Sequence, residues 1–135
     1  VASSSLFAQD EETDDSQMSY VAVVTYHTIM PDDGSWDRFK EMIKELRENV
    51  VFKNDLIVSS RILRHVWGSN SSDFIVINEY AEWAHIQEAA DVSQELTNEH
   101  GPRETQRERW LDEFNSDFDP VHSDEIYFEN RALRK

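Results

Sequence analysis

Phe74-Ile-Val-Ile-Asn-Glu-Tyr80 runs without a break into Ala81-Glu82-Trp83, and the hydrophobic period changes where they join. Up to Tyr80 the residues are β-branched and aromatic, as in a strand. From Trp83 onward the apolar positions Trp83, Ile86, Ala89 or Ala90, and Leu96 fall at helical spacing. Within the strand, Phe74 and Val76 oppose Ile75 and Ile77, so both of its faces are apolar. A sheet built from such strands needs cover on both sides.

Working backward, Gly68-Ser-Asn-Ser-Ser-Asp73 is a polar hairpin loop. It joins this strand to an earlier one at 57–67. Before that, Trp36, Phe39, Ile43, Leu46 and Val50 form a stripe at helical spacing with Met42 beside it. They predict a helix over 35–51, with Ser35 as N-cap. The first strand is residues 20–30, ended by Pro31 and the turn chemistry of Asp32-Asp33-Gly34. Val21 and Val23 point one way there, Ala22 and Val24 the other, so this strand is also apolar on both faces. Working forward, Gly101-Pro102 ends the second helix. A third helix at 103–118 carries Trp110, Leu111, Phe114 and Phe118 on one side, and a fourth strand follows at 123–129.

The order β-α-β-β-α-α-β predicts an α+β, ferredoxin-like split β-α-β fold with a four-stranded antiparallel sheet. Right-handed crossovers put the helices on one face. The other face is expected to be covered by a second copy, sheet on sheet, making a homodimer; the alternative cover is the N-terminal segment.

Composition narrows the function classes. The chain of 135 residues has 39% hydrophobic and 11% aromatic residues, enough for one domain with a core. With no cysteine there is no disulfide, thiolate metal site or cysteine nucleophile. No stretch approaches the roughly 20 apolar residues of a membrane span. A net charge of −15 repels phosphate backbones and anionic lipid, so neither nucleic acid nor a membrane surface is an expected partner.

Residues 1–18 form an acidic N-terminal segment ahead of a domain at 19–135. Its Leu6-Phe7-Ala8, followed by Asp10-Glu11-Glu12, is similar to the end of a secretory signal peptide. That reading makes the protein secreted or periplasmic. A natural acidic tail on a cytoplasmic protein is the alternative.

From Tyr20 to Phe128 the chain resembles the dimeric α+β barrel superfamily. The resemblance rests on element order and on Ile75-Val-Ile-Asn-Glu-Tyr80-Ala-Glu-Trp83, which is similar to the usual passage from third strand to second helix. The superfamily includes antibiotic-biosynthesis-type monooxygenases, haem-degrading enzymes, polyketide cyclases and isomerases, and the fold alone does not choose among them. Haem-degrading members use an Asn on the first strand with Trp and His on the second helix. Here the first strand offers Tyr26 and His27 instead, and Trp83 stands only at the start of the second helix. Cyclase-like members place a His near the end of that helix, with a Tyr and another His in the cavity. This resemblance implies catalytic roles for His100, His27 and Tyr80.

The residues themselves supply further candidates. Tyr26, Asn78 and Glu79 are candidate ligand-binding groups, Asn78 and Tyr80 on one face of the strand and Glu79 on the other. Glu79 is either a base with a raised pKa or a carboxylate paired with an Arg. The five histidines, His27, His65, His85, His100 and His122, have no pair at metal-ligand spacing. The acidic run Asp112 to Asp119 lacks the calcium-loop spacing and central glycine. Neither metal nor cofactor is therefore expected. Trp36, Trp83 and Trp110 are expected in the core, and His65 at the surface. Two functions remain: a metal-independent enzyme or binding domain for a small apolar or aromatic ligand, or an exported non-catalytic module for self-association or protein binding.

Overall fold

The computed structural model describes residues 17–29, 35–69, 71–99 and 104–135. The strands are β1 (Met18–His27), β2 (Ser59–Arg64), β3 (Asp73–Tyr80) and β4 (Ser123–Asn130). The helices are α1 (Ser35–Asn49), α2 (Ala84–Glu99) and α3 (Glu104–Asn115). Strand order is β2-β3-β1-β4 with every neighbour antiparallel, the ferredoxin-like arrangement expected from the element order. Tyr20 stands opposite Tyr80 on one side and Phe128 on the other, which sets the register.

The core lies between the sheet and the helices. Phe39 of α1 is 1% exposed, and its ring meets Phe74 at 5.5 Å, Phe118 at 5.4 Å and Phe114 at 6.0 Å. Met42 and Val50 from the same apolar stripe are buried with it. Trp110 stacks on Phe114 at 5.4 Å, and its indole N–H donates to Glu45 Oε2 at 3.1 Å. Arg38 binds Glu113 and the buried Asp117, tying α1 to α3 and the turn after it.

Strands β1 and β2 and one core residue differ from expectation. Strand β2 spans 59–64 rather than 57–67. At its start the chain is diverted by Asn54, 2% exposed, whose amide donates to Ala89 O and Ser93 Oγ, each at 2.8 Å. At its end Val66 and Trp67 leave the ladder and stand 93% and 94% exposed, before Gly68 turns the chain at φ +136°. Strand β1 stops at His27, and Ile29 N donates instead to Asp117 O at 2.9 Å. Trp83 precedes α2 rather than joining its buried face and is 61% exposed, edge-on to Tyr20.

On the face away from the helices, Val21, Val23, Ile75 and Ile77 are half-buried and Leu63 is exposed. The C-terminal residues cover one end of it. Arg131 Nε donates to Gln17 O, and Arg134 reaches Glu79 and Glu129. Residues 1–16 and 30–34, with the N-terminal segment and the expected turn, lie outside the described residues.

Candidate functional site

Side chains alternate along a strand, so register decides which candidates meet. Tyr26, Asn78 and Tyr80 point toward the helices, as do Ile62, Phe74 and Val76. His27 and Glu79 have the opposite parity and lie on the other face. Three of the candidates therefore share a side, and two do not join them. His100 lies outside the described residues.

On the helix side an apolar cavity of about 190 Å³ opens between sheet and helices. Its floor is Tyr26, Ile62, Phe74 and Val76. Its roof is Ile43, Leu46 and Arg47 of α1 with Phe114 and Phe118. Arg47 is the one residue among these that carries a full charge. Its Nη1 donates to Ser60 Oγ and its Nη2 to Ser60 O, each at 3.0 Å. Ser60 Oγ in turn donates to Asn78 Oδ1 at 2.5 Å. The guanidinium also lies over the Phe52 ring at 5.1 Å. A polar line thus runs from Arg47, in the cavity wall, through Ser60 and Asn78 to Tyr80 on the same face of the sheet.

The titratable groups on this side share one influence. Burial pushes the Tyr80 phenol above the usual tyrosine value, with a hydrogen bond to Asn78 opposing part of the rise. Burial does the same to Tyr26, reinforced by the charge of Asp124. Both phenols are thus neutral donors at physiological pH. Burial lowers the pKa of Arg47, but a guanidinium stays charged.

The other face behaves differently. Glu79 is 5% exposed, and burial alone would raise its pKa. Hydrogen bonds from Ser59 Oγ at 2.9 Å and Arg134 Nη2 at 3.2 Å, with the Arg134 charge, hold it below the ordinary carboxylate value instead. Glu79 is therefore an ion-paired carboxylate. His27 Nδ1 lies 2.9 Å from Asp73 Oδ1 at the far end of the same face. His65 is half-buried, and His122 pairs with Asp124 at 3.1 Å.

A second, wider depression of about 420 Å³ lies at the sheet end, where Tyr20, Trp83 and Phe128 meet Glu82 and Arg131. The tilted rings of Tyr20 and Phe128 lie 5.1 Å apart, and both Trp83 and Phe128 are mostly exposed.

Sequence reading missed Arg47 and Ser60. The signal was present: Arg47 stands four residues after Ile43, at the flank of the apolar stripe, where a cation faces the sheet rather than water.

No protein-family model and no curated protein matches the chain. Solved structures do. A conserved protein from Methanosarcina mazei superimposes with a TM-score of 0.54 at 12% identity, over 84% of this chain and 94% of that one. SnoaB, a cofactor-independent oxygenase from Streptomyces nogalater, gives 0.54 at 8% identity, over 87% and 98%. A nipsnap family protein of unknown function from Agrobacterium tumefaciens gives 0.55 at 10% identity, over 87% and 94%. Likeness at these identities speaks for the fold. The chain shares its fold with these proteins, the ferredoxin-like fold that its own strand order shows.

Proposed function

We propose that the chain is a small-molecule-binding dimeric α+β barrel domain whose ligand lies between the sheet and the helices. The observation that carries this reading is a mostly apolar cavity with Arg47, Tyr26 and Asn115 in its wall, Arg47 being tied through Ser60 and Asn78 toward Tyr80. Ligand sites are characteristically of this kind, apolar walls with a few convergent polar groups. A dry cavity of about 150 Å³ holds benzene, so about 190 Å³ suits a ligand of one or two rings.

The finer proposal is a metal-independent enzyme of cyclase or monooxygenase type. SnoaB is an example of cofactor-independent oxygenation on this fold. The neutral phenol of Tyr80 would donate to an oxygen on which negative charge develops, the way preorganised donors favour such transition states. Asn78 would hold that phenol in place. His100 remains the candidate for proton transfer near neutral pH. The half-buried Val21, Val23, Ile75 and Ile77 support a second copy stacked on the open face.

Saturation-transfer NMR with a panel of one- and two-ring aromatics tests the site. Binding should be seen for several of them and should vanish in Val76→Trp, which fills the cavity floor. Binding that survives Val76→Trp, or no binding at all, would dismiss the cavity as the ligand site. A second reading, an exported module for self-association or protein binding, draws on Val66 and Trp67, which project almost fully exposed from the β2–β3 hairpin. Val76→Trp leaves such a surface untouched.

A further inference from the structure

We infer that the ligand of the inner cavity is an anionic aromatic compound, a carboxylate or a comparable oxyanion, seated against the guanidinium of Arg47. The inference rests on the reading of that cavity as the ligand site. Arg47 lines it with Ile43, Leu46, Ile62, Val76 and Phe114, all apolar. Among the described residues no carboxylate lies within ion-pair distance of Arg47; its contacts are the Ser60 hydroxyl, the Ser60 carbonyl and the Phe52 ring. A guanidinium has five N–H donors, and Ser60 takes up only part of that capacity.

A cation partly withdrawn from water costs free energy unless a counter-charge meets it. This chain carries 28 acidic residues against 13 basic ones, so a carboxylate partner is the commonest thing it has to offer. Two other arginines use it, Arg38 with Glu113 and Asp117 and Arg134 with Glu79 and Glu129, while Arg64 lies over the Trp36 ring at 4.1 Å. Arg47 instead faces neutral groups. Ser60 grips one edge of the fork and so orients it, and the Phe52 ring covers it. The fork geometry then suits a planar two-oxygen anion. The apolar walls supply the site for the ring that bears it. The chain's net charge of −15 would slow the arrival of an anion, which makes the cation inside the source of any preference.

Titration of 2-naphthoate and its neutral isostere 2-naphthamide into the purified full chain at neutral pH tests the inference. Naphthoate should bind about 10- to 100-fold more tightly, the worth of charge-assisted hydrogen bonds. Arg47→Met, which keeps the length of the side chain, should abolish that preference while naphthamide still binds. Arg47→Lys should restore part of it. In the unaltered protein the Arg47 Nε–H resonance should shift with naphthoate and not with naphthamide, a readout independent of whether either variant folds. Equal affinities for the two probes, or a preference that survives Arg47→Met, would overturn the anion anchor and leave the cavity reading intact. If neither probe binds, the cavity reading fails, and the anchor fails with it.

Discussion

The two faces of one sheet use polar residues in opposite ways. On the helix side the ionisable groups are shifted chiefly by burial: Tyr26 and Arg47 line a cavity, Tyr80 shares their face of the sheet, both phenols are kept neutral, and among the described residues Arg47 meets no carboxylate. On the open side they pair with each other. Glu79 is held ionised by Ser59 and Arg134, and His27 meets Asp73. Polar groups that satisfy one another are spent on structure, while those left facing an apolar space are available to a ligand. The same strands supply both sets, one residue apart.

Adjacent residues on β3 give the sharpest way to break that contrast. Val76→Asp places a charge in the helix-side core and should cost about 4 kcal/mol or more, enough to unfold the chain in a urea melt. Ile77→Asp faces the other way and should leave the fold standing. If the open face carries a second copy, light scattering on the unaltered protein reads about twice 15.9 kDa, and Ile77→Asp reduces it to one chain mass. Unaltered protein that runs as a clean monomer removes the dimer. Two variants that destabilise equally remove the distinction between the faces.

Next in size is Phe39→Ala. This ring is the hub of the aromatic cluster, and its loss should cost about 3–5 kcal/mol. Trp110, only half-buried and stacked on Phe114, should cost less when truncated. Equal losses in urea melts would mean that α3 is packed as tightly as α1.

Most of the architecture could be read before any coordinates. The switch at Tyr80–Trp83, the stripe from Trp36 to Val50 and the two-faced strands carried the element order, because period is a property of the sequence itself. Relations between strands were not legible in the same way. The resemblance sets His27 beside Tyr80, yet only the strand pairing, Tyr20 with Tyr80 and His27 with Asp73, shows that they lie on opposite faces. Asn54 is similar: its side chain ends the α1–β2 connection by bonding to α2, 35 residues away, and nothing local announces it. Trp83 misled because helical spacing counts a residue that sits one position ahead of the helix.

The smallest expected effect is in the pH dependence, and it divides along the two faces. Glu79 has a folded pKa below its unfolded value, near 4.3 for a free glutamate. Its contribution is present above that unfolded value and is lost as pH falls through the folded one, so Glu79→Gln should flatten the acid limb of the stability curve. Tyr26 and Tyr80 behave in the reverse sense. Their folded pKa values lie above the ordinary tyrosine value, so at alkaline pH the unfolded chain releases protons first and the native state binds more of them. Stability is then full below about pH 10 and falls as pH rises toward the folded values. Tyr80→Phe should remove part of that alkaline loss and leave the acid limb alone, at a cost near neutrality of about 1 kcal/mol or less. Urea midpoints measured from acid to alkali for the two variants separate the contributions. An acid limb altered by Tyr80→Phe, or an alkaline limb altered by Glu79→Gln, would mean that the faces are electrostatically coupled through the sheet rather than independent.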